Sequence, residues 1–272
     1  MTIASAPSAA LLETRDLSVG YPRGPVLLSK LYFTLRAGEV VSILGRNGVG
    51  KSTLLRTLTG HLPARGGHVH LGRDDLRHLK PAEIAKRIAV VPQFHSAVFA
   101  FTVADLVLMG RTARIGTFRQ PGKADERKAM AMLERVGLAH IADRPVPQSS
   151  GGQRQMALIA RALLQEPTVL ALDEPTSHLD MANQVQVLDL LADLSSSGLA
   201  ILMTSHFPEH ALGLGGRALM LGGPNGLHLG DAADVVTEEA LEAAYGVSVE
   251  LVRSPRGRVA CIPVHASDDS RA

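Results

Sequence analysis

The densest chemistry in this chain lies in one short run, Gly45-Arg46-Asn47-Gly48-Val49-Gly50-Lys51-Ser52. It fits the pattern G-x-x-x-x-G-K-[ST] of a phosphate-binding P-loop. The glycines let the backbone curl until its N–H groups converge on phosphate oxygens. A helix starting there adds the positive end of its dipole. Lys51 is expected to reach the β and γ phosphates, and the Ser52 hydroxyl to join the shell of a Mg²⁺ ion. The phosphate set is Gly45, Asn47, Gly48, Gly50, Lys51, Ser52 and Thr53. A second group lies downstream, where Val169-Leu170-Ala171-Leu172 ends in Asp173-Glu174. Asp173, at the end of an apolar strand, is placed to complete the metal shell, and Glu174 to orient or deprotonate water. An acidic pair after a strand is commonly a solvated loop. The apolar run and the upstream P-loop favour the chemical reading.

A third group is Ser149-Ser150-Gly151-Gly152-Gln153, followed by Arg154-Gln155. A helix beginning with Ser150 and exposed glycine amides is a second anion site. One chain has no obvious use for two sites of this kind, whereas two chains can each close one over the other's nucleotide.

These groups need rigid elements behind them. Strand-like runs recur at Glu39–Leu44, Ile88–Val91, Thr168–Leu172, Leu199–Thr204 and Arg217–Leu221. Helices are expected at Ser52–Leu58, at Pro81–Arg87 behind a proline start, and at Val103–Gly110 behind a Thr102/Asp105 capping box. Further helices are expected at Asp125–Val136 with Gly137 as its stop, at Gln153–Gln165 and at Asp180–Ser195. Alternation of strands with helices predicts an α/β fold with a mainly parallel core sheet. From about 94 to 165 the pattern is helical and reads as a subdomain inserted into the sheet domain. After about Gly222 it weakens to short strands and a small helix, Thr237–Tyr245. Residues 1–10 read as a disordered leader, 11–265 as one domain, and 266–272 as a polar tail.

Bulk properties narrow the function. The chain has 272 residues, enough for one large α/β domain. Its formal net charge is +2 with scattered basic residues, so no nucleic-acid footprint is visible. The lone Cys261 excludes a disulfide framework within the chain and fits a reducing compartment. No stretch approaches the roughly 20 apolar residues that span a bilayer, so work at a membrane would need another spanning chain.

The Ser149–Gln153 run resembles the LSGGQ signature of ABC transporter ATPases, with Ser149 where leucine is usual. Other segments resemble that family in the expected order. Tyr21 is similar to the A-loop aromatic that stacks on adenine, and Gln93 to the Q-loop residue that touches Mg²⁺ and water. Ser177-His178-Leu179-Asp180 resembles the D-loop, and His206 the H-loop histidine that contacts the γ-phosphate. The resemblance covers about Leu11 to Val264 and implies an ABC cassette with an antiparallel β portion and an inserted helical subdomain. It implies ATP and Mg²⁺ as ligands. Glu174, His206, Gln93 and Lys51 would be catalytic, and Ser52, Gln93 and Asp173 would hold the metal. Tyr21, the P-loop and Ser150, Gly151, Gly152 and Gln153 would bind nucleotide.

Val107-Leu108-Met109-Gly110-Arg111, Phe118 and Pro121 resemble the branch powering importers of iron chelates, haem, cobalamin and molybdate. So do Asp180-Met181-Ala182-Asn183-Gln184 and Thr237-Glu238-Glu239-Ala240-Leu241. That branch implies a head-to-tail ATP-sandwich homodimer on the cytoplasmic face of the membrane. It also implies a transmembrane permease dimer, an extracytoplasmic substrate-binding protein and no nucleic-acid partner. An iron chelate is the leading cargo, with molybdate or cobalamin as alternatives.

Phe207-Pro208 departs from the acidic residue common after the histidine. A soluble ABC ATPase acting on DNA or ribosomes fits less well, because the chain has neither long coiled coils nor a second cassette. A P-loop kinase would not need Ser150-Gly151-Gly152-Gln153. His68 and His70 lie two apart in an expected strand and face one side. No Cys or Asp cluster of metal spacing joins them in the sequence, which favours ordinary exposed histidines over a zinc pair.

Overall fold

The computed structural model describes residues 9–93, 101–115, 119–222 and 226–264. The expected leader over residues 1–8, the tail beyond 264, the start of the helical insertion near Phe94, and Phe118 lie outside the described residues.

The chain opens with β1 (Ala10–Val19) and β2 (Leu28–Arg36), an antiparallel pair. Ala10, expected in the leader, is therefore strand, because its position pairs with Arg36. The chain then enters β3 (Val40–Leu44), turns through Gly45–Gly50 and continues as α1 (Lys51–Leu58). It returns through β4 (Gly66–Leu71), the short β5 (Asp74–Asp75), α2 (Pro81–Ala85) and β6 (Ile88–Val91). Helices follow: α3 (Val103–Leu108), α4 (Thr112–Ile115), α5 (Lys123–Arg135) and α6 (Gly151–Leu164). The α/β alternation resumes with β7 (Val169–Leu172), α7 (Met181–Ser196), β8 (Ala200–Ser205), α8 (Pro208–Leu214) and β9 (Arg217–Leu221). It closes with β10 (Leu227–Asp231), α9 (Ala232–Val235), α10 (Glu238–Tyr245), β11 (Val249–Arg253) and β12 (Val259–Pro263).

Two main sheets result. The larger has the order β10-β9-β3-β8-β7-β6, parallel except for the edge pair β10/β9. Every residue of β3, β7 and β8 is buried. That is the expected state of parallel strands covered on both faces. The smaller sheet, β2-β1-β4-β5, is antiparallel. It shares a core with α1 through Leu17, Phe33, Leu54 and Val69.

Register decides what the large sheet presents. Leu44 pairs with Ser205, Leu172 with Met203, and Val91 with Leu172. The carboxyl ends of β3, β8, β7 and β6 therefore lie along one edge. Gly45, His206, Asp173 and Gln93 all leave the sheet there. Ligands of open α/β sheets bind at that edge.

The helices of the insertion are tied to one another by Arg111, which follows α3. Its guanidinium donates to Asp125 on α5 (2.7 Å), Glu166 (3.1 Å) and the Leu164 carbonyl at the end of α6 (3.3 Å). This is a structural use for the Met109-Gly110-Arg111 run.

Candidate functional site

β3 delivers the chain into its turn at Gly45, whose φ is +142°. A Cβ at Gly45 would stand 2.8 Å from the Leu221 carbonyl oxygen of neighbouring β9, so no larger residue fits without backbone movement. The Gly45 N–H donates to the Tyr245 hydroxyl at 3.2 Å. Behind the turn, α1 begins with Lys51, buried at 4% exposure. Its Nζ donates to the carbonyls of Gly45 (2.8 Å) and Arg46 (3.2 Å) and lies 3.6 Å from Glu174 Oε1. Burial pushes the Lys51 ammonium below its ordinary value, opposed by Glu174 and Asp173. A phosphate arriving here meets a cation already stripped of water, which strengthens their attraction.

Beside it, Ser52 Oγ donates to Asp173 Oδ1 at 2.9 Å. The Thr204 hydroxyl of β8 donates to the same oxygen at 2.7 Å and accepts from the Glu174 N–H at 2.8 Å. One hydroxyl thus holds both carboxylate residues to the sheet edge. Glu174 itself sits at φ +47°, a conformation uncommon outside glycine. Its Oε2 accepts from Ser177 Oγ (2.8 Å) and Gln93 Nε2 (3.4 Å) and lies 3.3 Å from His206 Nδ1. The His206 ring packs on Phe207 at 4.0 Å between centroids. Phe207 in turn packs on buried His210, whose Nδ1 is 3.2 Å from Thr176 Oγ1. Burial, with His206 nearby, pushes His210 down to about 4, so its ring is neutral near pH 7.

Tyr21, Leu27, Asn47, Gly48, Gly50, Lys51, Ser52, Thr53, Gln93 and Glu174 line one cavity of about 610 Å³. Tyr21 is half exposed at its mouth. The Arg65 guanidinium fastens this end by donating to the Tyr21 (2.5 Å), Pro22 (2.8 Å) and Gly24 (3.1 Å) carbonyls.

Ser150, Gly151, Gly152 and Gln153 are not among the lining residues of that cavity. They form the start of α6. Ser150 Oγ accepts from the Gln153 N–H (3.2 Å), and Gln153 Oε1 accepts from the Ser150 N–H (3.0 Å), a reciprocal capping box. Ser150 and Gly151 are exposed. Gly152 is buried against the Asn183 amide, which a Cβ there would overlap. Asn183 is held by the Asp180 carboxylate at 2.8 and 2.9 Å. The Asp180-Met181-Ala182-Asn183-Gln184 run therefore braces the signature helix. Ser149 is buried and its hydroxyl has no partner, so that position is built for an apolar side chain.

A family model described as ABC transporter matches residues 28–177. The chain belongs to the ABC transporter family. It is an ATP-binding subunit, an ATPase of that family. It is 41% identical over 257 residues to the Hemin import ATP-binding protein HmuV of Deinococcus radiodurans, covering 93% of this chain and 95% of the relative. It is 39% identical over 236 residues to the Molybdate import ATP-binding protein MolC of Haemophilus influenzae, covering 86% and 87%. Among solved structures, an inward-facing metal-chelate type ABC transporter matches with a TM-score of 0.83 at 33% identity, covering 95% of this chain and 99% of that one. Among the described residues, no helix is long and apolar enough to cross a membrane.

Four residues that position this ABC ATPase's site carried no assigned role in the sequence: Thr204, Ser177, Arg65 and Tyr245. The first two sit inside segments already singled out for neighbours. Tyr245 lies 200 residues from its partner Gly45 and gives no local signal. Its hydroxyl, pushed up to about 12 mainly by burial, stays protonated. Removing it in Tyr245→Phe leaves the Gly45 N–H unpartnered, at a cost of about 1–3 kcal/mol. The expected result is ATP affinity lowered several-fold with little change in kcat, read by nucleotide titration and steady-state hydrolysis.

Proposed function

We propose that two copies of this ABC ATPase close head to tail on two ATP molecules, and that closure drives import of an iron chelate through a permease dimer. One observation carries the motor part of this reading. Glu174, Lys51 and Gln93 line one cavity, with His206 Nδ1 3.3 Å from Glu174 Oε2, while Ser150 and Gly151, exposed at the start of α6 where helix amides lack intrahelical partners, stand outside that lining. A second chain can supply those amides to the γ-phosphate.

In this reading Tyr21 carries the adenine, and the backbone of Gly45–Gly50 with Lys51 and Thr53 holds the phosphates. Glu174 orients and deprotonates the attacking water, and His206 and Gln93 fix its position. Mg²⁺ fits the site, because the Ser52 hydroxyl and Asp173 carboxylate are hard oxygen donors 2.9 Å apart. With Gln93 they would hold the ion, which would supply positive charge to neutralise the phosphates. The remainder of catalysis is positioning.

The chain would work on the cytoplasmic face of the membrane, with a binding protein feeding the permease from outside. The names of its relatives support the cargo class: one imports hemin, and a solved neighbour is of metal-chelate type. Molybdate stands as the second reading because of the 39% identity to MolC. Cells whose only copy carries Glu174→Gln, grown on limiting iron and molybdate, separate these. A selective fall in cellular iron is the expected result. A fall in molybdenum instead would replace the cargo, and no change in either metal would overturn both of these cargo readings and turn the assignment to cobalamin or export.

A further inference from the structure

On the outer face of the antiparallel sheet, β4 presents two histidines. Val69 and Leu71 point into the core, so His68 and His70 point outward on the same face. The tight turn between β4 and β5 brings Asp75 directly opposite His70. This corrects the expectation that no acidic residue joins the pair. The carboxylate arrives from across a hairpin, and the linear spacing hides it. Among the described residues, His68, His70 and Asp75 form a group whose candidate ligand atoms all lie within 4.8 Å of one another.

The hydrogen bonding is that of a site turned toward a cation. His68 Nδ1 lies 2.8 Å from Asp75 Oδ2. Arg77 points one nitrogen at both of them, 2.5 Å from His68 Nδ1 and 2.7 Å from Asp75 Oδ2. The Arg77 guanidinium thus sets one positive charge against both atoms. His70 Nδ1 is buried and has no hydrogen-bond partner. A buried imidazole nitrogen without a hydrogen-bond partner, one strand across from a carboxylate, leaves His70 with unused capacity for a ligand. The His68 and His70 rings stack at 5.9 Å between centroids with 19° between planes.

We propose that His68, His70 and Asp75 form a surface site for a borderline divalent transition-metal ion such as Zn²⁺, which Arg77 occupies as a stand-in cation when the metal is absent. Two imidazoles and one carboxylate suit such ions, whereas Mg²⁺ and Ca²⁺ prefer all-oxygen sets. Bonds of about 2.1 Å in tetrahedral geometry place two ligand atoms of one ion about 3.4 Å apart, so closing the widest pair in the cluster needs a movement of up to about 1.4 Å. The exposed His68 ring can supply it once Arg77 swings out. Water completes the coordination. The site borders the nucleotide platform in sequence: β4 begins at Gly66, directly after Arg65, which fastens the Tyr21 turn.

The test uses the full-length chain without an affinity tag, stripped of metal and held in excess Mg²⁺ without nucleotide. Titration with Co²⁺ should give one equivalent per chain with visible ligand-field bands, and Zn²⁺ should displace it. His68→Gln and His70→Gln should each weaken binding by roughly tenfold or more. Arg77→Ala should tighten it, because it removes the competing cation. That sign separates a metal site from a mere hydrogen-bonded network, where removing Arg77 only loosens the cluster. ATP binding, retained in each variant, shows that the chain is folded. Wild-type protein without a saturable Co²⁺ site, unchanged binding in both histidine variants, or weaker binding in Arg77→Ala would each overturn the proposal.

Discussion

Glu174→Gln should bind ATP at least as tightly as the native chain while hydrolysing it about a hundredfold more slowly or worse, the scale of losing a general base. The geometry gives each half of that expectation a cause. Glu174 Oε1 stands 3.6 Å from the Lys51 ammonium, so in the empty site it competes with a γ-phosphate for the same cation. Glutamine removes that competing charge, and the buried Lys51 then turns to nucleotide for its counter-charge. Glutamine also keeps an oxygen that can accept from Ser177, now 2.8 Å from Oε2, so the strained loop at φ +47° retains its anchor. It offers no basic oxygen to water. Because ATP persists uncleaved, the closed dimer should accumulate. Size-exclusion chromatography with ATP and Mg²⁺ should show the variant at twice the mass of the nucleotide-free chain. Hydrolysis within a few-fold of native would remove Glu174 from the role of base, and a persistent monomer would count against the closed dimer.

What the sequence disclosed of this architecture follows from how each element is buried. β3, β7 and β8 are covered on both faces, so they read as unbroken apolar runs, and their carboxyl ends coincide with the motifs. The antiparallel sheet was legible only as a class. β1 changes register between Thr14 and Leu17 and again before Val19, and Asp16 takes φ +49° between them. Each irregularity shifts which residues face inward, so strict alternation disappears. Lys30 at φ +56° does the same in β2. β5 is two residues long and wholly acidic, so no pattern marks it, and with it Asp75 was missed as a partner of His70. The Glu174 environment was half legible. The carboxylate announced itself after an apolar strand, but Thr204 and Ser177, which orient it, are ordinary hydroxyls that no spacing distinguishes from solvent-facing ones.

The strongest consequence of the two separated anion sites is a rescue experiment. Lys51→Ala removes the cation of the P-loop. Gly151→Asp places a carboxylate at the exposed start of α6. The second substitution should fold well: the nearest atom to a Cβ at Gly151 is Leu179 Cδ2 at 3.9 Å, and an acidic residue in the first turn favours the helix dipole. It should nevertheless repel a γ-phosphate. Each variant alone is expected to be nearly inactive in hydrolysis, because every composite site in its homodimer carries the lesion. Co-expressed, the two form mixed dimers in which one site combines both lesions and the other combines neither. Random pairing makes half the dimers mixed, with one intact site in each, so activity should return to about a quarter of native if sites act independently. Coupling between the sites would lower that value without abolishing it. If a chain instead used its own signature on its own nucleotide, no dimer in the mixture would hold an intact site, and activity would stay at the level of the single variants. The comparison is internal to one preparation and needs no permease. It therefore separates the head-to-tail arrangement from the identity of the cargo.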